Sequence, residues 1–164
     1  MPSAPSVLSA GPLVTVQFGM TREMLARLWN DAWDGESWVA PWSRAIDLTP
    51  PPAAWSPSPG RHSIWQIVSH VAFWRETSLD IIAGKPKLPP DEVKRRNFPA
   101  PEAVTAAAWQ QARDRLADSH RRIAASLADP SFPFDRLQHH PYHDAYHLGQ
   151  IMYLRALQGL PPIE

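Results

Sequence analysis

Ser63-Ile64-Trp65-Gln66 is the start signal from which the fold of this chain is read. Its spacing is that of a capping box: the Ser63 hydroxyl and the Gln66 amide each meet a backbone N–H that the first helical turn leaves without a partner. Behind it Ile64, Ile67, Val68, Val71, Trp74 and Ile81 recur at helical spacing and make a buried face. Gly84, with Pro86 just beyond, closes this helix. A helix of this length must bury its apolar stripe against other helices, and the flanking sequence supplies three.

Upstream, Leu25, Leu28, Trp29, Ala32 and Trp33 form one face of a first helix from about Thr21 to Asp34. Thr21 can cap it and Gly35 can end it. A helical turn over about 41–48 follows, with Trp42, Ala45 and Ile46 inward, and the proline-rich stretch 49–60 is expected not to continue it. Downstream, residues 85–101 read as a long connection bearing proline and basic residues. A third helix then runs from about Ala103 to Ala128, with Trp109, Ala112, Leu116, Ser119, Ile123 and Leu127 on one stripe. Asp129-Pro130 stops it, residues 130–141 form a loop, and a fourth helix begins near Pro141 and ends at Gly159. Only residues 13–18 alternate in a strand-like way. The fold expected is all-α: a four-helix bundle over residues 20–164, with a long crossover between its second and third helices, behind an irregular proline-bearing arm, residues 1–19.

Composition narrows the function. A chain of 164 residues with 44% hydrophobic content suits one domain with a proper core. Basic and acidic residues balance at 16 each, which argues against nucleic acid as the partner. There is no cysteine, so disulfides, thiolate catalysis and Cys-ligated metals are excluded, and a reducing cytoplasm is the expected compartment. No basic residue precedes Arg22 and no long apolar run occurs, so neither a signal peptide nor a membrane span is expected. The eight tryptophans fall mostly at helical spacing and read as core.

The familiar nucleotide-binding, hydrolase and HExxH patterns are absent. What remains is histidine. His143 and His147, four residues apart on the fourth helix, place their rings one turn apart on one face, a spacing that lets both reach a single ion. Taken alone, the pair reads equally as two core histidines satisfied by hydrogen bonds. His70 borders the apolar face of the second helix between Ile67 and Trp74, and on its own it too reads as a satisfied core residue. Together the three would make a His₃ site with open coordination positions, the pattern of catalytic rather than structural centres. Imidazole suits zinc, nickel or iron. Three neutral ligands around a dication would favour an anionic partner, such as a deprotonated water or thiol.

At these residues the chain resembles the DinB/YfiT-like family of metalloenzymes, small four-helix bundles that hold a divalent metal with three histidines. The likeness rests on the stretch from Pro59-Gly60-Arg61-His62 through Ser69-His70, on His143-Asp144-Ala145-Tyr146-His147-Leu148-Gly149-Gln150-Ile151, and on Trp33-Asp34-Gly35-Glu36-Ser37-Trp38. It implies that His70, His143 and His147 are the ligands, that the second and third helices run parallel, and that a low-molecular-weight thiol of the bacillithiol or mycothiol kind serves as co-substrate in some members. The arm of residues 1–19 departs from the family pattern.

Other residues receive lesser roles. Gln150 could hydrogen-bond a ligand, and Trp74 could line a substrate pocket. Asp144 lies about 100° around the helix from His143 and reads as a poor ligand. His139 and His140 read as exposed or capping, His62 as structural, and His120 as remote from the metal. The leading reading is a metal-dependent thiol S-transferase or hydrolase acting on a small molecule. The alternatives are a non-enzymatic bundle with a structural metal, or a homodimeric interaction module that covers a surface tryptophan, Trp38 or Trp42.

Overall fold

The computed structural model describes residues 19–35 and 39–163, and among them every regular element is helical: seven α-helices and one 3-10 turn. The expected arm, save Gly19, the alternating stretch 13–18 and Trp38 all lie outside the described residues.

Helix α1 (Arg22–Asp34) starts where Thr21 Oγ1 accepts a hydrogen bond from the Met24 N–H at 3.2 Å. Leu25 and Trp29 are buried, but Leu28 is 43% exposed, because α1 packs on only part of its circumference, against α2 and α6. Gly35 does end the helix, though not in a left-handed conformation: its φ is −84°. A Cβ there would stand 2.7 Å from Asp31 Cα, so it is the close approach of backbone that requires glycine. Helix α2 (Trp42–Ala45) turns Trp42, Ala45 and Ile46 inward as the sequence implies. Trp42 is only 1% exposed, which removes it as a surface tryptophan for a partner to cover.

The proline-rich stretch departs from expectation. Helix α3 (Pro50–Ala54) forms within it, with Thr49 at the N-cap position and prolines in the first turn. Proline is disruptive only where its missing N–H would have been bonded; in the first turn that N–H has no helical partner anyway.

Helix α4 (Ile64–Ile82) is the hub, packing against α3, α6, α7 and α5. Its capping box is formed, with Ser63 N–H donating to Gln66 Oε1 at 3.1 Å and Gln66 N–H to Ser63 Oγ at 3.2 Å. Ala72, Phe73 and Arg75 are buried beside the expected apolar face, whereas Trp74 and Ile81 are only half-buried. Beyond the helix Gly84 takes φ +81°, the left-handed turn that glycine adopts without strain.

The connection 85–101 is not structureless either. It contains helix α5 (Pro90–Asn97), which packs on α4. Helix α6 (Ala106–Ala128) is capped by Thr105 and lies against α4 and α1. The 3-10 turn Phe134–Leu137 interrupts the next loop, and α7 (His140–Leu157) carries Pro141 in its first turn. The apolar interior falls into two clusters, one around Trp42, Ile64, Val68, Trp109 and Ile151, the other around Leu25, Trp29, Ile123 and Leu137. Among the described residues no helix is long and apolar enough to cross a membrane.

Ser63 is 2% exposed, and its hydroxyl is held in the reciprocal cap. Ser63→Ala should therefore cost about 1 kcal/mol, read as a lower urea midpoint with an unchanged slope.

Candidate metal centre

Helix α4 presents His70 toward α7, where His143 and His147 stand one turn apart; one ring nitrogen from each of the three lies within 4.8 Å of the others. His70 Nε2 and His143 Nε2 are 3.1 Å apart. His70 and His147 are 6% and 5% exposed, while the His143 side chain keeps 26% of its surface open to solvent.

The opposite edge of every ring faces an oxygen. His70 Nδ1 lies 2.8 Å from Asn97 Oδ1 and 3.1 Å from the Asn97 carbonyl. The same Oδ1 accepts from Trp74 Nε1 at 2.8 Å; because an indole nitrogen can only donate, the Asn97 amide is oriented with its oxygen inward. His147 Nδ1 lies 2.8 Å from Gln150 Oε1, and Gln150 Nε2 donates in turn to the Tyr146 hydroxyl at 3.0 Å. His143 Nδ1 faces the Asp144 carboxylate at 3.3 Å. Facing acceptors, the three Nδ1 atoms carry the protons, which leaves the Nε2 atoms as bare lone pairs, and those of His70 and His143 are turned toward each other.

Two such lone pairs 3.1 Å apart repel unless a cation lies between them. Two ligands each about 2.1 Å from a common ion, at tetrahedral to octahedral angles, stand about 3.0–3.4 Å apart, so the geometry fits a divalent metal. Burial, reinforced by His147, pushes His70 down to about 4, with the hydrogen bonds to Asn97 opposing the shift; burial also lowers His147. His70 is therefore neutral at pH 7, the form that binds metals.

Around this core the structure adds residues with no role in the sequence reading. Asn97 comes from α5. Phe98 stacks on the His70 ring at 3.9 Å between centroids and on His62 at 3.8 Å, and its carbonyl accepts from Gln66 Nε2 at 3.1 Å. A signal for α5 does exist in the sequence: Pro90 at the start, Asp91 and Glu92 in the first turn, then Lys94, Arg95 and Arg96 in the last. Asp144, although no member of the three-histidine group, is 3% exposed and paired with Arg75, whose Nη2 is 2.6 Å and Nε 3.1 Å from Asp144 Oδ2. Burial works against the Asp144 charge, but the Arg75 guanidinium and the His143 hydrogen bond hold its carboxyl below the usual range. Arg75 lies over the Trp29 ring at 4.6 Å and the Trp42 ring at 5.5 Å.

The remaining histidines divide. His120 is stacked between Trp29 and Trp33, away from the three-histidine group, as expected. His139 is exposed and makes no side-chain cap. His140 corrects the sequence reading: it is 1% exposed, because α7 begins a residue earlier than Pro141 suggests and carries that ring inside. Gln150 and Trp74 both stand beside the group, Gln150 bonded to His147 and Trp74 to Asn97.

A family model described as the DinB superfamily matches residues 17–153. No curated protein and no solved structure matches the chain.

Replacing Arg75 by Met would strand a buried carboxylate, so R75M should lose about 3–5 kcal/mol, and the double variant with Asp144→Leu should recover most of it. Chemical unfolding of the two variants measures both values. A second expectation concerns pH. Burial pushes His120 down to about 4 and His140 down to about 3, whereas in the unfolded chain both titrate near 6.5. Between those values the unfolded state binds more protons, so stability is full above pH about 6.5 and falls as the pH drops toward 4. Urea midpoints of metal-free protein at pH about 7.5 and about 5 should show the loss; equal midpoints would contradict it.

Proposed function

Since this chain belongs to the DinB superfamily, we propose that it is a metal-dependent enzyme, a thiol S-transferase or hydrolase that acts on a small molecule at His70, His143 and His147. The observation that carries this reading is the arrangement of hydrogen bonds around the three rings. Each Nδ1 meets an oxygen, and the Nε2 atoms of His70 and His143 converge to 3.1 Å. Such a set suits zinc, nickel or iron.

When bound, the ion supplies Lewis-acid chemistry, favouring the deprotonated form of a water or thiol that takes its open positions. The chain's own residues do the rest. Asn97, Asp144 and Gln150 hold the three rings in one tautomer and one orientation. Phe98 covers one face of His70 and keeps water from it. The partial exposure of His143 leaves an approach from solvent for a co-substrate thiol and an electrophile.

A catalytic rather than structural ion is favoured by the partial exposure of His143, whose side chain keeps 26% of its surface open to solvent. The helices are held by two apolar clusters of Trp, Leu, Ile, Val and Ala side chains that need no ion to pack. Metal-free protein should therefore keep its helical circular dichroism yet lose turnover of thiol–electrophile pairs. Collapse of the fold on chelation, with no turnover across a thiol panel, would establish the structural alternative.

Freshly purified, untagged protein should carry about one equivalent of divalent metal by elemental analysis, and His147→Ala should carry almost none. Full retention in that variant would refute the ligand assignment.

A further inference from the structure

Helix α7 turns both of its charged residues inward, Asp144 and Arg155, and exposes no Asp, Glu, Lys or Arg. What it exposes instead is every tyrosine of the chain: Tyr142 is 73% open to solvent, Tyr146 63% and Tyr153 66%. With Leu157 they follow one another at helical spacing along one side, away from α4 and α2, against which α7 packs. By contrast α6 exposes Asp114, Asp118, Arg121 and Arg122, as a helix face kept in water does. A surface rich in tyrosine and stripped of charge has the composition of a protein interface.

Gly149, in the middle of this face, serves no purpose within the monomer. Its backbone is helical, its φ is not positive, and a Cβ there would meet nothing within 4 Å. Glycine inside a helix is destabilising, and what it allows in return is the close approach of another backbone.

The spacing around Gly149 indicates whose backbone that is. When a second α7 is laid antiparallel across the first, with a two-fold axis at Gly149, Tyr142 of one copy faces Ala156 of the other. By the same operation Tyr153 faces Ala145, and both alanines are exposed. Each large ring then meets a small residue, the alternation that helix packing requires. Complementarity to itself under a two-fold is what an isologous dimer needs; a foreign partner would require no such match. The area is of the right order. At about 150–250 Å² for each aromatic side chain, the exposed parts of the three tyrosines supply about 300–500 Å². Leu157, Ala145, Ala156 and Gly149 bring the face to more than half of the roughly 800 Å² that each partner of a stable complex contributes.

We propose that α7 is the interface of a homodimer, in which two copies cross antiparallel at Gly149. Tyr146 lies in this face and accepts from Gln150, whose amide oxygen holds His147, so the interface borders the three-histidine group. The inference does not depend on a metal being bound there.

Sedimentation of the untagged protein at about 20 μM should give the mass of two chains, with a dimer dissociation constant of about 2 μM or less. Tyr153→Arg, which brings a charge into the middle of the interface, should weaken the dimer about a hundredfold or more while leaving the helical circular dichroism unchanged. Because the chain has no cysteine, a second measurement decides the matter should that variant misfold. Gly149→Cys should form a disulfide-linked dimer with itself on mild oxidation, whereas Ala107→Cys, exposed on α6, should not. A mixture of Ala145→Cys and Tyr153→Cys should give the mixed disulfide in preference to either homodimer. A monomer at that concentration overturns the proposal and leaves the face to a different protein. A dimer that survives Tyr153→Arg, or that fails to link through Gly149→Cys, uses another surface and overturns it equally.

Discussion

The buried pair of Arg75 and Asp144 is the interaction on which the rest of the molecule leans. A guanidinium and a carboxylate taken out of water lose several kcal/mol of hydration each, and only close, well-directed contact compensates. Here the contact is 2.6 Å, and it joins α4 to α7 between the two apolar clusters, with Trp29 and Trp42 against the cation. Both guanidinium bonds to Asp144 go to Oδ2, while Nη1 donates to Ser119 Oγ. Oδ1 is thereby left to face His143 Nδ1, so the same pair that joins two helices also fixes the proton on one ring of the centre.

The other two rings are held by shorter-range means that nonetheless depend on distant chain. Gln150 reaches His147 from the next turn of the same helix, an arrangement available to any helix with that spacing. His70 instead depends on Asn97 and Phe98, which α5 delivers from outside the long helices. Gln66 ties the systems together: its Oε1 completes the cap of α4 while its Nε2 holds the Phe98 carbonyl. One side chain serves both helix initiation and the placement of the lid over His70.

What could be read beforehand was what rests on periodicity and on local chemistry. The capping box at Ser63, the four long helices and the pairing of His143 with His147 follow from spacings of three and four residues, whereas the addition of His70 is what the family resemblance implies. Helix α3 lies in a stretch whose prolines read as breakers and α5 in one that reads as a connection, yet Pro50 and Pro90 stand at first-turn positions, where proline initiates. Arg75 escaped for a different reason: a charged residue in an apolar helix reads as solvent-facing until its partner, 69 positions along the chain, is known. Pairings of that separation leave no local trace. The inward turn of His140 is of the same kind, since it depends on the residue at which α7 starts and not on the composition of the loop before it.

The donors of the centre come from only two helices, and this gives it a property of its own. Sliding either helix by a single residue moves its side chains about 1.5 Å, about half the gap between the two facing ring nitrogens. No rotamer adjustment of a short imidazole could absorb such an offset while keeping all three outer hydrogen bonds. The salt link between α4 and α7 thus acts as a registration mark, indexing one rod against the other so that the three nitrogens meet at a point.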